Sequence, residues 1–341
     1  LRESNGNLKM HSVDTLRSTL RSRLHPTFFG LFCFITILSS NLDRILDPPY
    51  WDAVMGVYYQ GVWLLHNNFN WLKLFDQPTY VYGGPRVCPY YFYSFIFSFL
   101  QLIFQPKAVF LILHLINFLA ASFVGGLFFS MLRKSMPVWL AILWVAAGFF
   151  NPIFSGQVAA IYLEMPLAFF TALIGYALWQ GNPKKAFVFS VMAFFIKPSA
   201  FLICLCLFFL FILNSMLRRR DLLRGWIPVK PSLWLLAPMA IVSPLYWSLG
   251  TEYMIIRLPE AIKAFPSVVS LLFPDLMLMY LAGIGLAVSC FFLRKYAGSF
   301  RPSETRVLIF FLLLTSGFWL SFIVFGQAMP RYATMIVFPQ V

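Results

Sequence analysis

Stretches of about 20 apolar residues without a charge recur along this chain, which is what a helix needs to cross ~30 Å of hydrocarbon. Ala108 to Leu132 holds no Asp, Glu, Lys or Arg, and neither does Phe201 to Leu217. In lipid a backbone must satisfy its own N–H and C=O groups, so segments of this kind fold as helices rather than open sheet. Composition agrees, with 60% of residues apolar, 11% charged and a mean hydropathy of +0.77. A soluble domain carries roughly 25% charged residues.

The expected fold is therefore an all-α, polytopic integral membrane protein with about nine or ten transmembrane helices. Spans fall near 27–42, 107–132, 137–158, 165–180, 186–196, 199–217, 232–249, 276–293 and 306–325, and another begins at Tyr332. Residues 1–26 form a basic leader. Its length and the number of later spans favour an uncleaved first helix over a signal peptide. Residues 27–341 make one transmembrane domain, read as lacking a C-terminal portion because a span has only begun at Val341. Residues 43–106 are polar, aromatic and punctuated by proline and glycine. They are expected to form a large first external loop carrying two interfacial helices, roughly 50–66 and 89–104.

Charge sets the orientation. With both loop helices kept at the surface, one side receives 1–26, Arg133-Lys134, Lys184-Lys185, 218–230 and 294–306, holding 18 of the 26 basic residues and 4 of the 12 acids. The other side balances 8 against 8, so the whole net charge of +14 falls on one face. The positive-inside rule makes that face, and the N-terminus, cytoplasmic. Making 89–104 a crossing would scatter basic loops over both sides. The basic balance thus reports topology and contact with anionic lipid, not nucleic acid.

Several functions lack their signatures. Four of the five cysteines (Cys33, Cys204, Cys206, Cys290) lie in apolar spans and only Cys88 in a polar loop, which reads as packing rather than a disulfide framework. No Cys/His metal spacing, G-x-x-x-x-G-K-[ST] or strand-linked G-x-G-x-x-G is present, so no motif points to ATP or a nucleotide sugar. The acids gather on the outer side, as Asp43, Asp47, Asp52, Asp76, Glu164, Glu252, Glu260 and Asp275, while the spans show almost no interior charge. That distribution fits a reaction at the outer interface better than an ion-coupled path through the bilayer.

Four outer-side segments stand out. Asp47-Pro48-Pro49-Tyr50-Trp51-Asp52 opens the first loop helix. Asp47 suits a cap and Asp52 a helix-dipole partner, but an ionised Asp52 at the interface is also placed to accept a proton from a hydroxyl. Position alone admits both. Next come Pro152-Ile153-Phe154 and Glu164-Met165-Pro166-Leu167, with Glu164 the only acid between Asp76 and Asp221. Phe195-Ile196-Lys197-Pro198 leaves a lone cation at the end of a short helix, and Pro330-Arg331-Tyr332 precedes the last span. A cation snorkelling to lipid headgroups is the default reading of both Lys197 and Arg331.

Taken in order, these segments resemble the GT-C superfamily of integral membrane glycosyltransferases, in particular the branch of protein O-mannosyltransferases and lipid A aminoarabinose transferases. The matching parts are Asp52 with Gly83-Gly84-Pro85, then Pro152, Phe154 and Glu164-Met165-Pro166-Leu167, then Lys197, then Arg331-Tyr332. The chain departs from the family at Asp52-Ala53, where an Asp-Glu pair is usual, and at Glu164, where Asp is usual. The resemblance implies transfer of a sugar from a polyprenyl-phosphate donor to a lipid, glycan or protein acceptor on the periplasmic or luminal face. It gives Asp52 the role of base, Glu164 that of second acid, and Lys197 and Arg331 that of cations for the leaving phosphate. Tyr332 and Tyr59 are expected at the substrate, Tyr59 among aromatic residues that would stack on sugar or form an interfacial belt. A divalent metal is compatible with the family and required by no motif. The competing readings are a transporter or lipid flippase, and a polysaccharide polymerase or ligase of related architecture.

Overall fold

The computed structural model describes residues 26–48, 54–70, 91–134, 136–161, 163–197, 200–219 and 233–248, with residues 307, 309–311, 313 and 314 of a further helix. Among these residues there is no strand, and the all-α expectation holds. The helices are α1 (Pro26–Ser40), α2 (Gln60–His66, entered through a π-helical turn Val54–Tyr59), α3 (Tyr91–Gln101), α4 (Pro106–Leu132) and α5 (Val138–Phe150). They continue with α6 (Pro152–Ala159), α7 (Glu164–Trp179), α8 (Pro183–Ile196), α9 (Phe201–Arg219) and α10 (Leu233–Ser248). One of them, α4, is long and apolar enough to cross a membrane; α1, α5, α7 and the apolar parts of α9 and α10 are shorter apolar helices. Spans expected at 276–293 and from Tyr332 lie outside the described residues, as does most of 306–325.

Local sequence explains the breaks. The span expected at 137–158 is two helices, because Pro152 disfavours a helical conformation at Asn151, which is extended at φ −62°, ψ 125°. Between α7 and α8, Gly181 takes φ 72°. Its N–H reaches the Leu178 carbonyl and that of Asn182 the Ala177 carbonyl, a Schellman ending that favours glycine at the left-handed position. Asn182 then caps α8 by accepting the Lys185 N–H at 3.1 Å, and Pro183 supplies the first turn. Gly-Asn-Pro thus stops one helix and starts the next, leaving α7 and α8 as an antiparallel hairpin with arms of 16 and 14 residues. Glu164 opens one arm and Lys197 caps the other.

Both helices expected in the first loop are present, but α3 is not laid across the end of α4. Its eleven residues span about 16 Å, half of what a crossing needs. They run antiparallel to the first half of α4, with Phe97 stacked on Phe110 at 5.9 Å and Tyr93 bonded to Asn117 further along. Against the other side of α3 lies α2, brought close by small residues. A Cβ on Gly61 would lie 2.5 Å from Phe97 Cδ1, and Ser98 Oγ donates to the Gly61 carbonyl at 2.8 Å. At the centre is α7, most of whose residues are buried, packed on α4 and α8.

Candidate functional site

Glu164 and Lys197 form a buried ion pair. Lys197 Nζ donates to Glu164 Oε1 at 2.6 Å, with the two side chains 11% and 3% exposed. The hairpin puts them level, and helix ends favour each charge: the carboxylate opens α7 at its positive end, and the ammonium closes α8 at its negative end. Lys197 is extended at φ −153°, as a residue before proline prefers, which turns the chain out of α8 just where the pair forms. Separate roles were expected for these residues, with Lys197 a cation for the leaving phosphate or one snorkelling to headgroups. The structure turns its ammonium inward onto a buried carboxylate rather than outward to headgroups.

Two further helices and the turn after α6 bring polar groups beside the pair. Tyr93, at the start of α3, donates its hydroxyl to Asn117 Oδ1. Asn117 donates its amide to the Ala160 carbonyl, four residues before Glu164. Because a carbonyl only accepts, this second bond fixes which end of the Asn117 amide faces Tyr93. All three of Tyr93, Asn117 and Glu164 are buried. Burial, and then the nearby Glu164 charge, push the Tyr93 phenol well above its ordinary pKa, so it stays a hydrogen-bond donor. Asn117 is the twelfth residue of the 27 in α4. The pair's neighbours therefore lie about 16 Å along that helix from its start, not at its tip.

One turn earlier on α4, His114 meets the first loop. Its Nε2 lies 3.0 Å from the Asp47 carbonyl, which makes Nε2 the protonated nitrogen; Nδ1 is buried with no hydrogen-bond partner among the described residues. The segment leading to Asp52 is thus anchored on the α4 face that carries Asn117. Asp52 itself, Arg331 and Tyr332 lie outside the described residues. Tyr59 is half-exposed, its ring edge-on to Tyr58, whose own ring meets Phe97. Of the expected site residues, the structure joins Glu164 to Lys197 and adds Tyr93, Asn117 and His114.

As chemistry, this is a buried carboxylate–ammonium pair beside the hydrogen-bonded Tyr93–Asn117–Ala160 chain. An ammonium so placed acts on an incoming anion far more strongly than one in water. Among the described residues no three His, Cys, Asp or Glu side chains gather as a metal site, and Glu164 already gives an oxygen to Lys197. The residues define a helical protein with a segment able to cross a membrane and a buried charged site. Comparison with protein-family models, with curated proteins and with solved structures found no match.

Proposed function

We propose that the chain is a multi-pass membrane glycosyltransferase that moves a sugar from a polyprenyl-phosphate carrier to an acceptor on the periplasmic or luminal face. The observation that carries this reading is the Glu164–Lys197 pair at the end of the α7–α8 hairpin remote from the exposed Lys184-Lys185 turn. If the basic turn is cytoplasmic, as the charge distribution argues, the pair faces the other compartment. In the reaction the acceptor hydroxyl attacks the anomeric carbon and its proton passes to Asp52. The bond from that carbon to the phosphate oxygen breaks, and the lipid phosphate leaves with the electron pair. Charge grows on that phosphate, and Lys197 with Arg331 stabilises it. While the site is empty, Glu164 keeps the Lys197 ammonium in position; the phosphate then competes with Glu164 for it.

A reconstituted assay tests the reading. Proteoliposomes containing the chain and extracted polyprenyl-phosphate sugars should lose donor and release free carrier phosphate when acceptor is supplied. Donor that persists with every acceptor class contradicts it. One observation favours a second reading, a transporter or flippase: the buried pair is the kind of in-membrane charge that coupled carriers use. That reading predicts donor moved across the bilayer with its sugar still attached.

Sidedness has its own test. A single cysteine replacing Asp43, whose side chain is 75% exposed, should react with an impermeant maleimide added from outside, and one replacing the exposed Lys185 should not. Labelling of the Lys185 position from outside would invert the topology. Glu164 itself is too buried to report.

A further inference from the structure

A cavity of about 570 Å³ runs between α1 and the α5–α6 pair, away from the ion pair. Along α1 it is lined by Phe29, Phe32, Cys33, Thr36, Ile37 and Ser40, positions spaced three and four apart that form one helical face about 16 Å long. Ile142, Ala146 and Phe149 of α5 and Gly156 of α6 form the opposite wall. The walls are mostly apolar. Polar groups collect at one end, where Asn41, Asp43 and Arg44 follow α1. Among the described residues the Arg44 guanidinium pairs with Asp43 at 3.9 Å, both mostly exposed, so the contact is weak and gives way to a better anion.

We propose that this groove binds one acyl chain of an anionic membrane phospholipid, with the lipid phosphate at Arg44. Three observations choose the occupant. Phe28, Leu31 and Ile35 on α1 are more than half exposed, so the helix carrying one wall also presents an apolar surface of the kind that lipid covers. Among the described lining residues the one cation, Arg44, stands at the polar end, where a headgroup would lie. Size suits a short tail better than a long one: at about 30 Å³ for a group the size of a water or methylene, 570 Å³ takes roughly nineteen groups. That matches one acyl chain, whereas a polyprenyl tail has several times as many carbons. The site does not depend on glycosyl transfer; it requires only that α1 face lipid.

Gly156 supplies the decisive variant. A Cβ built there meets nothing within 4 Å, so a side chain can start at this position, and Gly156→Phe sets a ring on the groove wall in place of a poor helix former. The purified full chain is irradiated with phosphatidylglycerol bearing a diazirine in a palmitoyl chain, and labelled peptides are identified. Label should concentrate on residues 29–40 and 142–156, and excess phosphatidylglycerol but not undecaprenyl phosphate should displace it. Gly156→Phe should cut labelling about tenfold, the effect of losing roughly two buried methylenes, with thermal unfolding unchanged. Ile142→Trp blocks the same wall from α5 and should do the same. Arg44→Gln should abolish the preference for phosphatidylglycerol over diacylglycerol. Label spread evenly over exposed helix faces, or undiminished in both blocking variants, overturns the proposal. Equal displacement by undecaprenyl phosphate overturns it too.

Discussion

Replacing Lys197 with Met should lower the stability of the folded protein by about 3–5 kcal/mol, the cost of leaving a buried charge without its partner. The carboxylate of Glu164 is 3% exposed and its described ionic partner is the ammonium 2.6 Å away. It opens α7 among buried neighbours, with little freedom to reach water. The reverse change, Glu164→Gln, should cost less. A lysine has a long flexible stem, and Lys197 is already 11% exposed, so its head can move toward water. The double variant Glu164→Gln/Lys197→Met removes both charges and should recover most of the loss, because no ion is then stranded. Unfolding in detergent micelles, arranged as a double-mutant cycle, measures this coupling. Single variants that each cost under about 1 kcal/mol and simply add would show a solvated pair, as surface pairs usually are.

This burial changes how the phosphate role of Lys197 has to be tested. From sequence, Lys197→Met is expected to weaken transfer while leaving the fold intact; with the carboxylate beneath it, the single change damages both. The neutral double variant separates them. It should be folded and still transfer poorly, by about 10²–10³-fold, the range for removing one preorganised group that stabilises developing charge.

Asp52→Asn should lower the transfer rate by about 10²–10⁴-fold without altering expression or unfolding, since asparagine matches the size of aspartate but cannot take the acceptor proton. Asp47→Asn serves as the control. His114 contacts the backbone carbonyl of Asp47 rather than its side chain, so that anchor survives the substitution. If Asp47 caps a helix, Asn caps nearly as well and the loss stays below about 1 kcal/mol. Equal activity of the two variants in the proteoliposome assay would make Asp52 a dipole partner and return the search for a base to Glu164.

The helix pattern was largely legible in the sequence because apolar runs, proline and glycine are local signals. Pro106, the Gly181-Asn182-Pro183 turn and the end of α8 at Lys197-Pro198 all fall where residue chemistry puts them. Proline 152 carried the same kind of message, and the break at Asn151 could have been read from it. The ion pair was also within reach. Glu164 lies 17 residues before Gly181 and Lys197 lies 16 after it, so a hairpin folded at that glycine sets them level. Weighing each charge alone, against headgroups and helix dipoles, hid their partnership. The standing of α3 beside α4 was harder to foresee. Ser94 and Ser98, four apart, signal a close helix contact, but nothing in the sequence says that they meet Gln60 and Gly61. Tyr93 and His114 carry no local mark of their partners; their roles depend on Asn117 and on the Asp47 carbonyl, 24 and 67 residues away.

Glycosyl transfer from a lipid carrier is tested most directly in the organism that makes the protein. Mass spectrometry of the cell-envelope glycans and of the polyprenyl-phosphate pool should be compared with the gene present, deleted, and restored as wild type or as Asp52→Asn. Deletion should remove one sugar from one glycan, lipid or glycoprotein class and raise the carrier that bears it. Wild type should reverse both changes, and Asp52→Asn neither. Glycans and carriers that are the same in all four strains would contradict the reading of this chain as a glycosyltransferase.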